Sequence, residues 1–211
     1  RQGPLKPPCE GSIPSSPANK THIMQIGIWG DSITYGECDN EGLGWVGRLR
    51  KSLCITNSCV YNFGVCGDTT EDLLKRFIVE ANSIKPDIVV FAIGINDSKI
   101  PANESTNKVT LEKYQKNIQE LIKLARNYTN KIYIVGATKV NDRITRDRGA
   151  SFKNETIQTY NKCLKEVSLS ENITFLDVFD ILDTNNDLED GLHPNAQGYE
   201  KLYRVLRKFL H

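Results

Sequence analysis

Two short stretches of this 211-residue chain hold residue types that can do covalent chemistry. In "GIWGDSITYG", Gly27 to Gly36, a hydrophobic run ends abruptly at Gly30-Asp31-Ser32, so a strand delivers a serine to a glycine corner. In "EDGLHPN", Glu189 to Asn195, Asp190 stands three residues before His193. A serine hydroxyl attacks an acyl carbon only when a base takes its proton, and a carboxylate on the far side of an imidazole keeps that base in the right tautomer. A turn through Gly191 and Leu192 can set the Asp190 carboxylate against one ring nitrogen and leave the other facing Ser32. His193 has no rival, because His22 precedes the expected folded region and His211 is the last residue. Each stretch alone has a plainer account, a serine in a glycine turn and a histidine in a loop before a helix. Their conjunction carries the chemistry.

An acyl-transfer site also needs donors for the oxygen that becomes negative. Three candidates stand in polar turns: the backbone N–H of Ser32, the backbone N–H of Gly67 in "CGDT", and the side-chain amide of Asn96 in "GIND". Plainer roles exist here too, with Gly67 relieving a turn and Asn96-Asp97 capping a loop.

The elements that must hold these residues follow from the apolar pattern. Five short runs, "IMQIGIW" (23–29), "CVYNF" (59–63), "DIVVFAI" (87–93), "KIYIVGA" (131–137) and "ITFLDV" (173–178), are nearly continuous in apolar or β-branched residues, as strands buried on both faces require. Helical spacing fills 43–53, 70–84, 110–128, 151–169 and 195–210 between and after them. In the third, Leu111, Tyr114, Ile118, Leu121, Ile122 and Ala125 make one stripe. Alternating strands and helices specify right-handed βαβ units in an open parallel sheet. Ligands meet such sheets beyond the carboxyl ends of the strands, where strand order reverses. Ser32, Gly67 and Asn96 follow the first, second and third strands, so three glycine-bearing turns converge on one edge. Pro194 is expected at the first position of the last helix.

Taken in order, "GDSITYG" with Ser32, "NFGVCGDTT" with Gly67, "GIND" with Asn96 and "DGLHPN" with Asp190 and His193 resemble the blocks of the SGNH or GDSL-type hydrolases. The match runs from Gly30 to Asn195, with isoleucine where the family's name has leucine. The resemblance implies an α/β, three-layer αβα sandwich with a flavodoxin-like five-stranded parallel sheet. It implies Ser32 as nucleophile, His193 as general base and acid, Asp190 as its orienter, and an oxyanion hole from Ser32, Gly67 and Asn96. No metal and no organic cofactor is implied. Gly67 is preferred to the other glycine of its block, Gly64, because it precedes Asp-Thr. Asp31 and Asp97 read as loop-fixing carboxylates, Cys66 as a packed small residue, and Trp29 and Trp45 as core residues.

Composition sets the frame. A net charge of +1 with interspersed signs gives no footprint for nucleic acid, and no apolar run reaches the roughly 20 residues that span a bilayer. The first 23 residues hold five of the eight prolines and no apolar periodicity, so we read them as an expression-derived leader ahead of one domain at 24–211, with a Pro-rich linker as the alternative. Without them 24 basic residues face 25 acidic ones. Cysteines 38, 54, 59, 66 and 163 show no CxxC spacing, which favours free thiols in a reducing compartment over a metal site. N-x-[ST] sequons, among them those at Asn19, Asn103, Asn127, Asn154 and Asn172, argue for secretion, but without a signal peptide we read them as chance and place the chain in the cytoplasm.

The expected partner is a small-molecule ester. Short connections after the first three strands leave only 138–154 to form a wall or lid, and its Arg143, Arg146 and Arg148 read as solvated. An open cleft favours short acyl or acetyl esters. The alternatives are a lysophospholipase or thioesterase for long acyl chains, and a flavodoxin-like module that only binds.

Overall fold

In the computed structural model the described residues are 22–53, 56–102, 104–146 and 150–210. The order of elements is β1 (Met24–Gly30), α1 (Ser32–Tyr35), α2 (Gly44–Leu53), β2 (Ser58–Gly64), α3 (Thr70–Ile84), β3 (Ile88–Ala92), β4 (Ile100–Pro101), α4 (Leu111–Ala125), β5 (Ile132–Val135), α5 (Asp142–Arg146), β6 (Ala150–Ser151), α6 (Asn154–Ser170), β7 (Thr174–Leu176) and α7 (Ala196–Leu206). Most of the leader read from the sequence lies outside the described residues; His22 is described, and its ring meets Asp87 at 2.8 Å.

Five strands form one all-parallel sheet in the order β2-β1-β3-β5-β7, the three-layer αβα sandwich expected. Alternation along the strands assigns each side chain to a layer. Trp29 of β1 and Val89 and Phe91 of β3 face α3, α4 and α6, where they pack with Leu73, Phe77, Tyr114, Ile118 and Leu164. Ile26 and Ile28 of β1 and Ile88 and Val90 of β3 face α2 and α7, meeting Trp45, Leu49, Tyr199 and Leu202. Both tryptophans are core residues as expected, and Trp29 stacks on Phe63 with ring centroids 4.9 Å apart. β2 and β7 are the edge strands and only partly buried, so the two-faced burial read from the apolar runs fits β1 and β3 best.

Helix ends follow local chemistry. Thr69 and Asp72 make a reciprocal capping box at α3, and the Thr110 hydroxyl caps α4. The last helix starts one residue later than its pattern suggests, because the Asn195 side chain accepts the Gly198 N–H as cap. Pro194 is therefore outside the helix, bridged to Leu188. Helix α6 loses its expected first turn because β6 pairs with β4 and Phe152 is drawn inward beside Ile95, Val140 and Ile157.

That pairing changes the expected cleft. The connection after β3 is not short: it carries β4, which joins β6 of the 138–154 segment in a small antiparallel sheet. Asn154 locks the same segment, accepting the Val140 N–H at 3.0 Å and donating to Val140 O at 2.9 Å. The described part of 138–154 is thus an anchored wall. Arg148 lies outside the described residues.

The aromatic layer dominates packing. Phe77 is fully buried, edge-on to Trp29 and against Phe91. Phe77→Ala is expected to cost about 3 to 5 kcal/mol in urea unfolding, whereas Val79→Ala, on the exposed side of the same helix, stays within about 0.5 kcal/mol. Equal losses would show that the layer is not the source of stability.

Candidate active site

Ser32 sits at the switch between β1 and β3, where the chain turns from the β2 side of the sheet to the other. Asp31 is N-cap of α1 and its carboxylate accepts the Ile33 N–H at 3.0 Å, which fixes the corner that presents Ser32. Burial, followed by the neighbouring Asp97 and Asp68 charges, outweighs that hydrogen bond and pushes the Asp31 carboxyl up to about 7.

From the far end of the chain, the loop before α7 turns through Gly191 at φ +87° and returns His193 to this corner. Asp190 Oδ1 accepts the N–H groups of Leu192 and His193 at 3.0 and 2.8 Å, and Oδ2 faces His193 Nδ1 at 2.9 Å. His193 Nε2 lies 2.9 Å from Ser32 Oγ. Partial burial raises the Asp190 carboxyl, but the His193 backbone, the His193 ring and the Leu192 N–H together prevail and hold it at about 2. An ionised Asp190 accepts from Nδ1–H, which leaves Nε2 as the lone-pair nitrogen facing the Ser32 hydroxyl. The wall contributes directly, since the Asn141 N–H donates to Gly191 O at 2.7 Å.

Asn96 and Gly67 are joined through Asp68. The Asn96 amide donates to Asp68 O at 3.0 Å, and Lys108 Nζ donates to Gly67 O at 3.3 Å. Among the described residues neither the Ser32 N–H nor the Gly67 N–H meets an acceptor within the chain. Gly64 differs from Gly67 in kind. Its N–H donates to Asn62 Oδ1 at 2.9 Å, and a Cβ there would sit 2.2 Å from Tyr35 N. Gly64 is a packing glycine under α1, whereas Gly67 has φ +82° and open space around it.

Several supports carry no sequence signal. Arg76 spans from Gly30 O at 3.1 Å to Asp68 at 2.8 Å and ties the first turn to the second. Asp97, fully buried, accepts from the Thr70 N–H and hydroxyl and so reaches across to α3 as well as serving its own loop. Tyr199 of α7 donates to Glu37 O at 2.8 Å. Cys66 is exposed, with its thiol 3.5 Å from Glu37 Oε2, and is not packed as expected because its turn projects from the sheet edge. Cys38 also belongs here, its Sγ, an Asp190 oxygen and a His193 ring nitrogen all lying within 4.8 Å of one another. Cys38, Cys59, Cys66 and Cys163 are not joined in disulfides, and Cys54 lies outside the described residues.

A flavodoxin-like parallel sheet with a hydrogen-bonded Asp-His-Ser row at its switch point defines an SGNH-type hydrolase layout. The family model of the GDSL-like lipase/acylhydrolase family matches residues 28–201, and the chain belongs to that family of enzymes. It is similar to a multidomain esterase of Ruminococcus flavefaciens, 26% identical over 89% of this chain, of which it spans only 28%. The lipase/acylhydrolase structure from Enterococcus faecalis superposes with a TM-score of 0.75 at 26% identity, covering 88% of this chain and 94% of that one. A catalytic mutant of an acetylxylan esterase from Geobacillus stearothermophilus shares the fold, with a TM-score of 0.72 at 21% identity over 88% and 94% of the two chains. Among the described residues no helix is long and apolar enough to cross a membrane.

The two glycines make opposite predictions. Gly64→Ala drives a methyl into the α1 backbone and should abolish soluble folded protein or lower Tm by more than about 10 °C, whereas Gly67→Ala pays about 1 kcal/mol for its positive φ and folds. Thermal melts of both variants check this.

Buried Asp97 gives a pH signature. Burial outweighs its Thr70 donors and raises its carboxyl from 3.8 to about 6. The folded state therefore keeps a proton that the unfolded chain releases above pH 3.8, so this contribution is full at lower pH and is lost as pH rises to about 6. Urea unfolding across that window should show wild-type stability falling, relative to Asp97→Asn, by on the order of 3 kcal/mol. Parallel profiles for the two proteins would mean that Asp97 titrates normally.

Proposed function

We propose that this chain is a serine esterase that hydrolyses carboxylic esters with short acyl groups, acetyl esters first, through an acyl-enzyme. The observation that carries the reading is the unbroken row Asp190–His193–Ser32, each link at 2.9 Å. Ser32 Oγ attacks the ester carbonyl as His193 Nε2 takes its proton, and the developing imidazolium is stabilised by Asp190. The oxyanion takes hydrogen bonds from the Ser32 and Gly67 N–H groups and from the Asn96 amide. His193 then protonates the leaving alcohol, and a water activated by the same ring cleaves the acyl-enzyme.

Two observations support a small acyl group. The described part of 138–154 is pinned to the Asp190 turn through Asn141 and to itself through Asn154, as a wall. Mutants of the Geobacillus acetylxylan esterase at a serine, an aspartate and a histidine are each described as catalytic, the same three residue types that meet here. A long-chain acyl hydrolase is the second reading, favoured by exposed Tyr35 and Val65 near the Ser32 and Gly67 turns.

Hydrolysis of p-nitrophenyl esters from acetyl to palmitoyl is expected to peak at the shortest chains. Ser32→Ala should lower kcat on the order of 10⁴-fold or more, and Asn96→Ala about 10² to 10³-fold with KM little changed. A long-chain optimum would move the assignment to the second reading, and full activity in Ser32→Ala would sink the mechanism.

A further inference from the structure

The spacing of the cysteines in the sequence speaks against a metal site, but folding assembles a donor set that no spacing could reveal. Cys38 Sγ, an Asp190 carboxylate oxygen and a His193 ring nitrogen lie within 4.8 Å of one another, all on residues that keep partial solvent exposure. Thiolate, carboxylate and imidazole are the ligands that Zn²⁺ takes at about 2.0 to 2.3 Å in tetrahedral sites, which sets ligand atoms about 3.5 Å apart. Side-chain rotations must open the Asp190–His193 pair from its 2.9 Å hydrogen bond and bring the Cys38 Sγ in toward both.

The backbone under each donor is fixed. Cys38 adopts φ +65° in the turn after α1, where the Glu37 N–H donates to Ser32 O at 3.0 Å and the Tyr199 hydroxyl holds Glu37 O. The next residue, Asp39, is buried against Arg48 at 2.5 Å, which pins the other side of the turn. Opposite it, Asp190 and His193 are held by their own turn and by the Asn141 contact.

We propose that Cys38, Asp190 and His193 form a three-donor site for Zn²⁺ or a similar thiophilic divalent cation, with water in the fourth position, and that its occupation shuts off the catalytic histidine. Binding releases the thiol proton to water and forms a metal–thiolate bond. With metal on Nδ1 the imidazole proton must reside on Nε2, which then cannot accept the Ser32 proton; metal on Nε2 blocks that atom outright. The site itself rests on geometry, and its effect on turnover rests on the esterase reading.

The test titrates the full, metal-free chain with Zn²⁺ in competition with a chromogenic chelator, and separately with Co²⁺ read by its thiolate charge-transfer absorption. One equivalent is expected to bind, with the cobalt–thiolate band, and ester hydrolysis should fall over the same Zn²⁺ range and return with EDTA. Cys38→Ser should weaken Zn²⁺ binding more than about tenfold, lose the band, and make hydrolysis resistant relative to its own metal-free rate. Cys66→Ser, on the neighbouring turn, should bind as wild type does. Undiminished binding by Cys38→Ser, or loss of it in Cys66→Ser, would overturn the site. Zinc bound through Cys38 without loss of turnover would overturn the shut-off. A chain inert toward every ester would sink the esterase reading, and the two metal titrations would still decide the site.

Discussion

A parallel sheet covered by helices on both faces leaves little room for polar side chains along its central strands, and this constraint organises the rest of the molecule. Ile26, Ile28 and Trp29 of β1 and Ile88 to Phe91 of β3 are buried to within a few per cent, so the polar chemistry must collect where the strands end. Parallel connection puts all the carboxyl ends on one edge, and the strand order β2-β1-β3-β5-β7 opens a crevice there between β1 and β3. Ser32, Gly67 and Asn96 leave the first three strands at that edge, and the loop before α7 brings Asp190 and His193 to Ser32.

The edge is held by carboxylates tied to backbone donors, and their surroundings sort them. Asp190 is partly solvated and accepts two backbone N–H groups besides the His193 ring, so it stays ionised. Asp31 and Asp97 also accept backbone N–H groups, yet deeper burial raises both. The same residue type thus orients an imidazole at one position and shapes a turn at another. Buried Asp39 is matched by Arg48, and buried Asp187 by Lys201 at 2.6 Å, each pair fixing a loop that borders the cleft.

The wall of the cleft shows how connections become architecture. β4 and β6 are two residues each, too short to stand alone, and they persist because Phe152, Val140 and Ile95 bury a small third cluster beneath them. The described part of the segment most open to being read as a lid is thereby anchored as a side of the site, and Asn141 passes that anchoring to Gly191 and the Asp190 turn.

Much of this was legible in the sequence, because apolar runs and helical stripes report burial directly. The five strands and five main helices fall within a few residues of their patterns, and Ser32, Gly67, Asn96, Asp190 and His193 stand out through glycine turns and a three-residue Asp-to-His step. What the pattern could not contain is adjacency across the chain. Gly64 and Gly67 read alike until the packing of Gly64 against Tyr35 separates them. Arg76, Thr70 and Tyr199 gain their places only through long-range hydrogen bonds, and Cys38 meets His193 only after the 154 intervening positions have folded between their turns. Local sequence determined the elements and the residue types at their ends, since propensity and burial act over a few residues. The tertiary structure decided which of those ends touch, since sheet order and loop anchoring are set by contacts between segments remote in the chain.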